Sequence, residues 1–189
     1  MIKTRTHHRY SALGRLLLLC ASFGLFAACD GNTELMQHTL ANDPVAVETA
    51  LAEGAAVDER NKYGWTALMH AARQNQTATL ALLLDAGADI NARDNDGWTA
   101  LMRAASKGQD ESTELLLARK ADPELADNNG WTALMWAANR GHLNSIKTLI
   151  AAGADVNAKA KDGRTAIVIA RNEGYNEVLD VLKAAGAKQ

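Results

Sequence analysis

The stretch GWTALMHAA at residues 64–72 returns as GWTALMRAA at 97–105, as GWTALMWAA at 130–138 and, altered, as GRTAIVIAR at 163–171. Each interval is 33 residues, and an internal period of this size means stacked structural units. The other half of the unit recurs in phase. LALLLDAGADINARDND at 80–96, TELLLARKADPELADNN at 113–129 and TLIAAGADVNAKAKD at 148–162 align. VAVETALAEGAAVDERNKY at 45–63 is an earlier copy, and VLDVLKAAGAK at 178–188 is a last copy cut short. Within each unit, Thr66, Thr99, Thr132 and Thr165 precede a helical apolar pattern, so each hydroxyl is placed to cap the first free amides. Leu68 with Ala71 and Ala72, and their equivalents, recur at three- and four-residue steps, which puts a small-residue face inward. A second helix follows, carrying Leu80, Leu83 and Leu84, then Leu116 and Leu117, then Ile146, Leu149 and Ile150. Gly87 and Gly153 end it with the left-handed backbone a helix terminus prefers. Asp94-Asn95-Asp96-Gly97 and Asp127-Asn128-Asn129-Gly130 then form projecting turns.

Period and pattern together resemble ankyrin repeats, from about Leu35 to Lys188. The resemblance implies an all-α solenoid of helix-turn-helix units with projecting β-hairpin-like turns. It divides the chain into an N-terminal cap repeat (33–63), three full repeats (64–96, 97–129, 130–162) and a C-terminal cap repeat (163–188). Departures from the family pattern carry information. Ala67, Ala100 and Ala133 stand where the family has proline, and Met69, Met102 and Met135 where it has histidine. The family histidine's hydrogen bonds are therefore absent or replaced by packing. Lys120 occupies a glycine position, at a cost of about 1 kcal/mol, and with Pro123 it predicts a local irregularity in the third unit. Arg171 and Lys183 replace apolar residues in the last copy, as suits a terminal cap whose outer face meets water.

Residues 1–28 carry Lys3, Arg5, Arg9 and Arg15 and no acidic residue. The apolar run Leu16 to Ala28 spans about 20 Å as a helix, short of the bilayer core. This is a secretory leader rather than folded structure. Its boundary, Leu25-Phe26-Ala27-Ala28-Cys29, resembles a bacterial lipobox, with Phe26 where leucine is usual. The resemblance implies cleavage before Cys29, a diacylated Cys29, and a short tether over 29–32. Ordinary signal cleavage after Cys29, giving a soluble periplasmic protein, is the alternative. In bacterial lipoproteins an Asp at the position of Asp30 favours inner-membrane retention. With Cys20 lost in the leader, no disulfide is expected.

Hydrophobic residues make up 48% and charged residues 22% of the 189, which excludes disorder. There are 37 Ala and 24 Leu but only nine aromatics, as expected of a thin stack of closely packed helices. The net charge of −2 does not point to nucleic acid. Without the leader's four cations, 16 Lys+Arg face 22 Asp+Glu, a net −6.

Chemical motifs are few. His142 begins a second helix, a structural position in the family. His70 lies in a slot held elsewhere by Arg103, Trp136 and Ile169, which predicts a variable surface position. No histidines stand at metal-ligand spacing, no serine sits in an elbow motif, and no phosphate loop is present. The run from Asp94 to Gly97 is similar to part of a calcium loop, but Arg103 falls where the bidentate glutamate is required. No catalysis, cofactor or metal is expected.

The positions that stand out are Trp65, Trp98 and Trp131, continued by Arg164. The family fold places them where turn meets first helix on the concave side, as a ladder of rings. They either brace the stack or anchor a partner, and the two roles are compatible. Arg73, Arg103, Trp136 and Arg140 join them as candidate partner-binding residues. Arg60, Lys62, Arg93, Lys107 and Lys159 share the concave side, against Asp94, Asp96, Asp127 and Glu173 there, while Glu48, Glu53, Asp85, Glu111, Glu114 and Glu177 mark the outer one. A basic groove suited to an acidic protein segment is one reading; a mixed solvated surface is the other. The expected function is protein–protein interaction by a monomer in the bacterial envelope, as an accessory or scaffold factor. An immunity-type inhibitor of a secreted toxin or lipase is the alternative, and a hydrolytic or metal-dependent enzyme a remote one.

Overall fold

A computed structural model describes residues 30–188; the expected leader and Cys29 lie outside them. Among the described residues ten helices run in five antiparallel pairs. They are α1 (Glu34–Leu40) with α2 (Pro44–Ala52), α3 (Ala67–Arg73) with α4 (Thr77–Asp85), α5 (Ala100–Ala105) with α6 (Asp110–Ala118), α7 (Ala133–Arg140) with α8 (Leu143–Ala151), and α9 (Ala166–Glu173) with α10 (Asn176–Ala184). First helices pack on first helices and second on second, so the stack is an all-α solenoid. None of these helices is long and apolar enough to cross a membrane.

The first helices are short because both ends are set locally. Thr66, Thr99 and Thr132 cap them through Oγ1, accepting from the amides of Met69, Met102 and Met135 at 3.3–3.5 Å. Thr165 has the same extended backbone but makes no such bond. Burial goes further than a single inward face. Every residue of α3 except the terminal Arg73 is buried, since neighbours flank it on both sides, its own second helix lies behind and the turns lie in front. Alanine at 67, 71 and 72 is what lets backbones approach that closely. Met69, Met102 and Met135 are at most 1% exposed. Packing thus stands where the family histidine would hydrogen-bond, and each buried side chain contributes about 2 kcal/mol.

The second helices end identically. The amides of Gly87, Lys120 and Gly153 donate to the carbonyls of Leu84, Leu117 and Ile150, and the next amides to Leu83, Leu116 and Leu149. Lys120 adopts φ 67° there. The irregularity expected of the third unit is therefore absorbed as strain at one residue, because the same two bonds close the helix.

Turns stack on turns. The amides of Asn95, Asn128 and Lys161 donate to the carbonyls of Tyr63, Asp96 and Asn129 in the preceding turn. This row fixes the glycine before each tryptophan. At Gly97 (φ 82°) a Cβ would stand 2.9 Å from the Asn128 amide. At Gly163, in the last turn, it would meet nothing within 4 Å.

Candidate partner-binding site

Trp65, Trp98 and Trp131 do not form a plain ladder of three open rings. Residues from the slot of His70 interleave with them. The Arg103 guanidinium lies between two indoles, 3.9 Å from the Trp65 ring centre and 4.3 Å from that of Trp98. Trp98 then meets Trp136 at 4.2 Å, and Trp136 meets Trp131 at 4.6 Å, both tilted. Arg164 closes the far end, 5.0 Å from Trp131. At the near end His70 packs on Trp65 at 4.9 Å, and Arg73 lies 5.9 Å from the same ring. Arginines cover π faces at both ends of the stack and between Trp65 and Trp98, an attractive arrangement, while Trp98, Trp136 and Trp131 meet ring on ring.

Two expectations change. His70 is 8% exposed, not a surface residue, because its slot points back under the turn onto Trp65. Trp131 is also 8% exposed, covered by Trp136 and Arg164, whereas Trp65, Trp98 and Trp136 are half-buried.

The interleaving is anchored by residues that stand nine positions before the slot. Asp94 begins its turn and accepts from the amides of Asp96 and Trp98 through Oδ1, while Oδ2 accepts from Arg103 Nη2. Asp127 repeats the device. Its Oδ1 accepts from the amides of Asn129 and Trp131, and its Oδ2 accepts from Trp136 Nε1 at 3.1 Å. Asn61 holds the first turn through Tyr63 and Trp65, but its slot partner His70 leaves Nε2 buried and unbonded. In the last unit the pair is Ala160 and Ile169, both buried and apolar. The sequence reading places Asp94 and Asp127 in the projecting turns but gives them no anchoring role. The signal was available in how the residue nine positions ahead changes with the slot: Asn with His, Asp with Arg, Asp with Trp, Ala with Ile.

Burial pulls Arg103 below its ordinary range, with Asp94 opposing that shift; arginine nonetheless stays charged. Burial also pulls His70 down to about 4, helped by the charges of Arg73 and Arg103. His70 is therefore neutral at neutral pH. Two of the concave-side cations are committed to neighbouring turns: Arg60 donates to the Arg93 carbonyl, and Arg93 to the Ala126 carbonyl at 2.7 Å. These bonds staple successive turns. His142 sits at the start of α8 with its ring against Gly108.

In front of the stack is a groove of about 270 Å³. Trp65, Trp98 and Trp136 form its apolar part; Arg73, Arg103, Lys107 and Arg140 supply charge and Ser106 a hydroxyl. Six of the eight candidate partner-binding residues line it, while Trp131 and Arg164 lie in the adjoining stack. Among the described residues no group of three or more His, Cys, Asp or Glu could hold a metal ion. What the groove offers is aromatic surface and fixed positive charge, the equipment of a binding surface.

No curated protein matches the chain. A family model described as ankyrin repeats (3 copies) matches residues 25–127 and again 114–189. Those stretches include the whole helical stack, with its 33-residue step and its row of stacked turns, so the chain belongs to the ankyrin-repeat family, whose repeats are protein–protein interaction modules rather than, in general, enzymes.

Proposed function

We propose that this protein is a non-catalytic, monomeric interaction module of the bacterial cell envelope, which binds a partner protein through its concave face and turn tips. It acts as an accessory or scaffold factor, tethered by a lipid on Cys29 and facing the periplasm, with Asp30 favouring the inner membrane. The observation that carries the binding surface is the groove, where three half-buried indoles stand open beside exposed cations. Rigid aromatic rings flanked by arginine are the residue types that dominate binding energy at interfaces. The basic leader and Cys29 support the envelope part, and two acyl chains on one cysteine hold a protein firmly at a bilayer.

Crosslinked capture from the native envelope tests the reading. Trp98→Ala, shown to be folded by circular dichroism, is expected to retain less than ~10% of the captured partner, and Glu111→Ala to retain nearly all. Equal capture by the two variants would overturn the groove as the binding surface. For the anchor, Cys29→Ser is expected to move the protein from the membrane to the soluble fraction.

A further inference from the structure

The charges around the groove are not equivalent. Arg103 is committed, with its faces covered by Trp65 and Trp98 and its Nη2 on Asp94. Arg73, Lys107 and Arg140 are exposed and have no ion pair among the described residues. They come from three successive units and converge on one groove. The chain beyond the leader is acidic, 16 Lys+Arg against 22 Asp+Glu. Cations left unneutralised at one spot on such a body, over an aromatic floor, mark a place kept for an external anion.

The patch also has ends. The residue 33 positions before Arg73 is Leu40, 38% exposed. The residue 33 positions after Arg140 is Glu173, exposed and accepting from Asn139. The positive stretch is thus confined to three units. Packed helices lie about 8–10 Å apart, so the first and third units are separated by about 20 Å. An extended strand covers that distance in about six residues.

We infer that this groove holds an acidic, extended segment of the partner protein, about six to eight residues long, whose carboxylates meet Arg73, Lys107 and Arg140 while one apolar side chain lies on Trp98 and Trp136. The inference rests on the reading of this face as the binding surface. Guanidinium–carboxylate contacts of this kind are charge-assisted and directional. Indoles and arginines also suit single-stranded nucleic acid. The bounded patch, the acidic body and a volume of about 270 Å³ favour a short peptide, because a long polyanion would be repelled beyond the groove.

Fluorescence anisotropy on the full chain in mild detergent tests this with three labelled probes. One is a peptide of about eight residues, Asp and Glu around a central Leu. The second is its Asn/Gln counterpart, and the third is an oligonucleotide of matched charge. The acidic peptide is expected to bind, to weaken as salt rises, and to lose ~10-fold or more in affinity in R73A/R140A. Lys107→Glu should weaken it as well, and Lys147→Ala, on the exposed side of α8, should not. Equal binding of the neutral peptide, no binding of the acidic one at millimolar concentration, or native affinity in folded R73A/R140A overturns the inference. So does tighter binding of the oligonucleotide. If those results came while Trp98→Ala still abolished partner capture, the binding-module reading would stand and only the acidic-segment inference would fall.

Discussion

Asp94 and Ala160 hold the same position in turns two units apart, and what lies above each is different. Over Asp94 sits a buried guanidinium between two indoles. Over Ala160 sits Ile169, and the turn is closed instead by Asp162, which accepts from the Arg164 amide and from Arg164 Nε. In that pair the hydrogen bonds donated by the Arg164 side chain and amide hold the Asp162 carboxyl below its usual range. Both units are a pair of helices packed on the preceding pair. The middle units therefore carry a polar system that the solenoid itself does not require, and that system is what positions the groove.

The comparison is broken most directly by removing the anchors. Asp94→Ala leaves Arg103 buried without its carboxylate and frees two turn amides, so it is expected to cost about 3–4 kcal/mol. Asp127→Ala orphans only an indole N–H and two amides and should cost about 2 kcal/mol. Urea denaturation of both variants measures the gap. Equal losses would show that the Arg103 pair is no different in kind from an indole–carboxylate hydrogen bond. Removing Arg103 as well should recover part of the Asp94→Ala loss, since the uncompensated charge goes with it.

The first unit supplies the next test. His70 titrates near 4 in the folded chain, against about 6.5 when unfolded. Between those values the unfolded chain takes up the proton first, so stability is greatest above pH 6.5 and falls as pH drops towards 4. The loss amounts to about 3 kcal/mol across that window. His70→Leu, which also removes the unbonded Nε2, should flatten this dependence in urea midpoints measured from pH 7.5 to pH 4. An unchanged slope would show that other groups set the acid response.

The smallest effect lies in the caps. Thr99 bonds the Met102 amide, whereas the Thr165 hydroxyl is buried and unbonded. Thr99→Val is expected to lower stability by about 1 kcal/mol, and Thr165→Val to leave thermal melting unchanged or slightly raised.

Much of the fold was legible in residues such as Thr66, Leu68, Ala71 and Gly87 because their signals are local. A hydroxyl before an apolar periodicity, small residues at helical steps and a left-handed glycine each act within a few positions. Lys120 was legible for the same reason. Of the site, the tryptophan row and its neighbouring arginines were visible as a list of positions. The order in which the rings meet was not, nor was the burial of His70 and Trp131.

Sequence alone thus determined that the chain is a stack of 33-residue helical pairs, and which slots carry the tryptophans and arginines. Only the tertiary structure decided that Arg103 lies between Trp65 and Trp98, that Trp136 parts Trp98 from Trp131, and that Asp94 and Asp127 hold both arrangements in place. The reason is physical. Caps and periodicity act through backbone geometry shared by every unit. The contacts of a side chain that reaches across to the next unit depend on what that neighbour offers, and in this protein each neighbour offers something different.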